Sequence, residues 1–450
     1  MSLKPQRGWL SSGAVQRKAR HFVLAPSSVV GAALDPLDPL DPLYPLDPLD
    51  PLDPLDSIDD GSRTGDVTVM SHDARHDESA AVLADGDAPP GARPFQPRRK
   101  LVPSSMSWAS EYPFRSRWFQ PLTTQIWTDA QDVQHKVVTP GYWQHFLDEG
   151  PKDAPVLVFL HGNPTWSFYW RKLIVGLRER YRCIAIDHLG MGLSDRPQDD
   201  ATDKGSRPHA PGLLDVLADP YRLGGHITRA EALLEALQVK EFTLIGHDWG
   251  GCIAAGVATR RPDRVRSIVW MNTGAFLSQD IPFLIALCRI PVLGEVAVRA
   301  FNAFAASATY RAMMKHDRMT DVVKAGYLDP YRNWDDRVAT LRFVQDIPLD
   351  SDHPSYSELS KIEAGLVDLK SKPIALFWGD ADFCFTRAFR LRFEKEFPAA
   401  EVAAWADCGH YVVEDAHERI LPLLTSFLQK HHGAVAARPS TSMTSGAGSA

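Results

Sequence analysis

No long run of positive charge occurs in this sequence. Its formal net charge of -7 is spread along the chain, which argues against nucleic acid or an anionic membrane surface as partner. Paired cysteines are missing too. The five present, Cys183, Cys252, Cys288, Cys384 and Cys408, are odd in number, scattered and mostly inside apolar runs. They exclude a disulfide framework and a cysteine metal site, and predict free core thiols in a reducing, cytoplasmic compartment. A membrane-spanning run is also lacking, because the longest apolar stretch, 281–298, is interrupted by Arg289 and Glu295. What the chain does have is apolar residues, 44% of the total, enough for a sizeable core. One large α/β domain with tails fits that composition better than several small domains.

Residues 1–105 are set apart. From Leu34 to Asp56 the triplet Asp-Pro-Leu repeats, broken once at Tyr44. Proline at every third place removes backbone donors and forbids a helix or a central strand, so a disordered low-complexity extension is expected. The N-terminus carries Lys4, Arg7, Arg17, Lys18 and Arg20 and no acid, ahead of an apolar run from Phe22. A signal or transit peptide fits poorly, since Pro26-Ser27-Ser28 interrupts that run. Translation starting at Met106 is the simpler explanation. The Ala/Ser/Thr/Gly tail over 433–450 is expected to be disordered, which leaves 106–432 as the folded domain.

Within that domain, β-rich segments from Trp118 to Leu147 suit an opening antiparallel pair. Continuous apolar runs at 156–160, 183–187, 242–245, 265–271, 374–378 and 401–406 read as strands, several buried on both faces. Helical spacing lies between them, so a mostly parallel sheet flanked by helices is predicted. Residues 198–222 form a polar, Pro/Gly-rich surface insertion. Residues 275–365 break the alternation; they are helical, apolar and interrupted by prolines, and read as a cap over the active site.

The stretch Phe242-Thr-Leu-Ile-Gly-His-Asp-Trp-Gly-Gly251 organises the rest. Its spacing Gly246-x-Asp248-x-Gly250 is a nucleophile elbow, in which small flanking residues allow a strained turn that exposes the central side chain. An aspartate stands where most elbows have serine. A serine needs a base before it attacks, whereas an aspartate, with a reference pKa near ~3.9, is already an anion at neutral pH. The matching electrophile is a tetrahedral carbon bearing a leaving group: an alkyl halide, an epoxide or a strained lactone. Only hydrolysis of the resulting ester needs a base. Loops after later strands supply Asp382 and His410, giving the order nucleophile, acid, histidine found in α/β-hydrolases, with Asp380 and Asp280 competing for the acid role.

Four motifs carry a resemblance to the haloalkane dehalogenases of the α/β-hydrolase superfamily, over roughly Tyr112 to Gln429. They are His161-Gly-Asn-Pro-Thr165, Gly246-His-Asp-Trp-Gly-Gly251, Trp378-Gly-x-x-Asp382 and Gly409-His-Tyr-Val-Val-Glu-Asp415. The resemblance implies an α/β-hydrolase fold and Asp248 as nucleophile. It also implies Asn163 and Trp249 as halide and oxyanion donors, and His410 as the base held by Asp382. Some members place the acid after the strand before the cap, but that position reads Met271-Asn272-Thr273 and has no carboxylate. The pattern is similar to the third dehalogenase subfamily, which it shares with the β-lactone decarboxylases of olefin synthesis. Epoxide hydrolases, with Tyr310, Tyr327, Tyr331 and Tyr356 as ring-opening candidates, rank third, and a non-catalytic scaffold comes last. No cofactor or metal is implied. The expected partner is a small apolar substrate, and a homo-oligomer is compatible with the sequence.

Overall fold

The computed structural model describes residues 67–70, 79–86, 106–128, 134–197 and 220–432. The Asp-Pro-Leu repeat, most of the 198–222 insertion and the tail from 433 lie outside the described residues. Among the described residues, eleven strands form one sheet: β1 Val67–Met70, β2 Ser79–Asp85, β3 Arg117–Thr128, β4 Gln134–Pro140, β5 Gln144–Glu149, β6 Val156–Leu160, β7 Arg182–Ile186, β8 Phe242–His247, β9 Val265–Met271, β10 Ile374–Gly379 and β11 Glu401–Trp405. Their order is β1-β2-β3-β5-β7-β6-β8-β9-β10-β11, with β4 paired to β3. From β7 to β11 every pairing is parallel, and the remainder is antiparallel. Chain order reverses between β6 and β8, and such a switch point opens a crevice at the carboxyl ends of the strands.

The apolar runs become strands because both faces are covered. Every residue of β8 and β10 is buried. Side chains alternate between two cores: Leu160, Leu244, Ile268 and Leu376 enter one, and Phe159, Ile245, Val269 and Phe377 enter the other. The first is closed by helices α2 (Leu223–Ala236), α3 (Trp249–Arg260) and α9 (Arg387–Glu396). The second is closed by α1 (Arg171–Leu177) and α10 (Val412–His432). Between β9 and β10 lies the cap, with α4 Phe283–Cys288, α5 Ala303–Arg311, α6 Asp321–Leu328, α7 Val338–Gln345 and α8 Tyr356–Gly365. Among the described residues, no helix is long and apolar enough to cross a membrane.

One boundary needs correction. The folded sheet begins before residue 106, because β1 and β2 fall inside the stretch expected to be a structureless extension. Strand β2 pairs with β3 from Ser79 opposite Thr123 to Asp85 opposite Arg117. The Asp85 carboxylate accepts from Arg117 at 2.6 Å, and Trp118 Nε1 donates to Gly86 O at 2.8 Å. Ser-Ala-Ala-Val-Leu-Ala-Asp has little β-preference of its own, so pairing with the edge of β3 supplies what the sequence signal lacks.

Candidate active site

Strand β8 ends in a turn that places Asp248 at φ +53° and ψ -130°, a conformation a non-glycine residue holds only when its surroundings impose it. They do. The Asp248 N–H donates to Asn272 O at 3.0 Å, and its carbonyl accepts from the Thr273 hydroxyl at 2.5 Å. A Cβ on Gly246 would lie 2.6 Å from Gly250 O, and one on Gly250 would lie 2.0 Å from Leu160 O. The elbow can pass this close to its neighbours only with glycine at both places.

The Asp248 carboxylate is buried and gripped by backbone donors. Asn163 N–H reaches Oδ1 at 2.7 Å, and the Trp249 N–H bonds to the same carboxylate. Oδ2 lies 3.6 Å from His410 Nε2. Burial pushes the Asp248 pKa up, against the pull of His410 and the two N–H groups. On the far side of the imidazole, His410 Nδ1 lies 2.8 Å from Asp382 Oδ2. Burial disfavours the imidazolium, but the carboxylates of Asp382 and Asp248 outweigh it and hold the His410 pKa above its ordinary value. The ring is also fixed from behind, since His247 Nε2 donates to the His410 carbonyl at 2.8 Å.

The competing acids lie elsewhere. Asp380 is taken up by Arg390, with both carboxylate oxygens at 2.9 Å. Asp280 lines the cavity at its cap side. The structure therefore brings Asp248, His410 and Asp382 into one line, with Asn163 and Trp249 beside the carboxylate. Asn163 Nδ2 donates one hydrogen to Thr340 O at 3.0 Å, which leaves its second hydrogen for a ligand. Trp249 packs edge-on against Phe343 at 5.5 Å.

Above these groups is a cavity of about 830 Å³, counting its open mouth. Asn163, Asp248 and Trp249 form its floor, and Phe276, Ile285, Ile347 and Pro348 are among its apolar walls. None of Tyr310, Tyr327, Tyr331 or Tyr356 belongs to the lining. Tyr327 instead donates to Glu414 at 2.6 Å and Tyr331 to Thr165 O at 3.3 Å, so an epoxide-opening tyrosine pair is missing among the described residues. Nor do the described residues hold a cluster of three or more His, Cys, Asp or Glu suited to a metal ion.

Two positioning groups escaped the sequence analysis. Asn272 Nδ2 donates to Asp382 Oδ2 and to Gly379 O, both at 2.9 Å, while its Oδ1 accepts from Gly379 N–H at 2.8 Å. Asn272 follows β9 directly, where a carboxylate would have marked an acid of the site and an amide carries no such mark. Asp415 accepts from Gly409 N–H at 2.7 Å and from Lys315 N–H at 2.9 Å, tying the histidine loop to the cap. In sequence it closes the motif Gly409 to Asp415, but nothing in that motif marks Gly409 and Lys315 as its partners.

Comparison with known proteins follows the same lines. A family described as alpha/beta hydrolase fold matches residues 155–416. A cis-3-alkyl-4-alkyloxetan-2-one decarboxylase of Shewanella oneidensis is 39% identical over 299 residues, 66% of this chain and 88% of that protein. Haloalkane dehalogenase 2 of Mycobacterium bovis is 30% identical over 316 residues, 69% of this chain and 93% of that protein. Among solved structures, an ancestral haloalkane dehalogenase superposes with a TM-score of 0.57 at 26% identity, covering 65% of this chain and 97% of the other. The chain belongs to the α/β-hydrolase fold family and is an enzyme of that family, with oxetan-2-one decarboxylases and haloalkane dehalogenases as its homologues.

Proposed function

We propose that this enzyme displaces a leaving group from a saturated carbon through a covalent ester on Asp248, hydrolysing haloalkanes to alcohol and halide. The observation that supports it best is the division of labour on the Asp248 carboxylate: Oδ1 is held by the Asn163 N–H while Oδ2 stays free of it and faces His410. Oδ2 attacks the carbon, the C–O bond forms, and the carbon–halogen bond breaks with its electron pair. The second Asn163 amide hydrogen and the Trp249 indole N–H are uncharged donors suited to the departing anion. Water then adds to the ester carbonyl while His410 Nε2 takes its proton, and Asp382 stabilises the imidazolium. The negative charge develops on Oδ1, where the Asn163 backbone N–H already points. Collapse releases the alcohol, returns Asp248 as carboxylate and passes one proton to solvent. All five cysteines are unpaired, which supports a reducing, cytoplasmic setting.

A second reading is favoured by the higher identity to oxetan-2-one decarboxylases, 39% against 30% for the dehalogenase. Asp248 would attack the saturated ring carbon C4, breaking its bond to the ring oxygen and opening the ring to a β-carboxylate. The bond to that carboxylate then breaks, its electrons form the alkene, and the C–O bond to Asp248 cleaves. Carbon dioxide leaves and Asp248 is restored without water. The two readings therefore differ in their need for His410. The test offers the purified enzyme a bromoalkane series and a cis-3,4-dialkyl oxetan-2-one side by side, following halide, alcohol and alkene separately. Halide and alcohol from the bromoalkanes are expected. Alkene from the lactone with no halide from any bromide would overturn the first reading in favour of the second.

A further inference from the structure

The cap carries an apolar surface that the reaction does not use. Phe283, Val292 and Phe301 are 74%, 73% and 74% exposed, and Leu284, Ile290 and Leu293 are about half exposed. The segment 281–301 holds only three charged residues, Arg289, Glu295 and Arg299. Arg289 turns inward, donating to Val344 O at 2.9 Å and Ile347 O at 2.7 Å. Arg299 is buried against Trp334 and paired with Glu295 at 3.1 Å. This arrangement inverts that of an ordinary surface segment, with its guanidinium groups directed into the protein and its phenylalanines into solvent. Val292 sits at φ +66°, an uncommon conformation for a β-branched residue, so its exposed position is held at a cost. The same short helix, α4, points Ile285 into the cavity and Phe283 and Leu284 outward. One short helix thus contributes both to the pocket wall and to the exposed apolar surface.

We propose that this cap face rests on a neutral lipid surface, from which an apolar substrate passes directly into the pocket. The net charge of -7 and the inward-turned arginines disfavour an anionic surface and suit a zwitterionic one. Delivery of substrate rests on the apolar-substrate reading, whereas docking is independent of it.

The test uses the full chain and phosphatidylcholine vesicles in a co-sedimentation assay, with and without added sodium chloride. The unaltered protein is expected to partition onto vesicles with little dependence on salt. Phe283→Asp and Phe301→Asp should each weaken partitioning roughly tenfold or more, since each removes one buried aromatic anchor. Val402→Asp, on the exposed edge strand β11, should partition like the parent. Circular dichroism and melting check that the variants are folded, whatever the enzyme turns over. A parent that ignores vesicles, or phenylalanine variants that bind as well as the parent, would overturn the proposal. So would a dimer in gel filtration that Phe283→Asp converts to monomer without any vesicle binding, which would assign the face to a second copy of the chain.

Discussion

Below the pocket, at the strand ends, Asn272, Asp382 and His410 direct their polar atoms at one another within 2.8–2.9 Å, and Asp248 accepts the Asn163 N–H at 2.7 Å and faces His410 at 3.6 Å. Above it the wall is mainly apolar, built from residues such as Ile281, Ile285, Val344, Ile347 and Pro348, with Ser278 and Asp280 as its polar members. Polar groups buried together must satisfy each other, and once they do their geometry is fixed. Apolar walls impose only shape. On the proposed mechanism the floor governs which bonds break and the roof governs which molecule is admitted. Substitutions in the floor should lower kcat for every substrate, whereas those in the roof should redistribute kcat/KM among substrates.

The largest effects test the floor with bromoalkanes. Asp248→Asn should form no adduct and turn over at background. His410→Phe should still be alkylated but not hydrolysed, because loss of a positioned base costs ~10²–10⁴ in rate. Mass spectrometry should then find the substrate's alkyl group on the peptide containing Asp248. An adduct on another residue, or continued turnover by His410→Phe, would show that the roles are wrongly assigned. Trp249→Phe should slow adduct formation itself by ~10²–10³, the loss typical of one preorganised donor. If adduct forms at the parental rate, the indole does not hold the leaving group.

The roof should respond differently. Ile347→Trp fills part of the cavity beneath the cap without touching Asp248. Longer bromoalkanes should lose roughly 10–200-fold in kcat/KM relative to short ones, the range that one apolar pocket contact commands. A uniform fall in kcat across the series would break the distinction between floor and roof.

The floor was far more legible in the sequence than the roof, for a physical reason. An elbow needs glycine on both sides of its nucleophile and a buried strand before it, so Gly246, Asp248 and Gly250 leave a spacing that can be read directly. Asn163 and Asp382 follow strands in the same way. Cap residues obey no such rule, because Ile285 and Phe283 look alike in a helix of six residues although one faces the cavity and the other solvent. Asn272 stayed hidden because its role is to bridge two strand ends, and nothing local marks a residue whose partners are Gly379 and Asp382. Strand β2 was missed for a related reason, as its pairing depends on β3 rather than on its own residues.

The smallest effect sharpens the comparison most, because it probes a floor residue that touches no substrate. The His410 pKa is raised by the carboxylates beside it, of which Asp382 comes first. Hydrolysis needs the neutral imidazole, so kcat should fall as pH is lowered through the His410 pKa of the alkyl-enzyme, in which Asp248 is an uncharged ester and Asp382 is the carboxylate left to support the imidazolium. Asn272 donates to the same Asp382 oxygen that His410 bonds, drawing off part of its negative charge. In Asn272→Ala the carboxylate keeps that charge for the imidazolium, and the His410 pKa rises further. The acidic limb of the kcat profile should therefore move to higher pH. A hydrogen bond to a charged carboxylate is worth about 1.5–3 kcal/mol, only part of which distinguishes imidazolium from imidazole, so the shift should be about half a unit to one unit, with only a modest loss at the plateau. Asn272→Asp, which adds a second negative charge beside Asp382, should move the limb in the same direction and further. A limb that moves to lower pH in both variants would mean that Asn272 only holds the backbone of Gly379, and that the acid loop relaxes away from His410 without it.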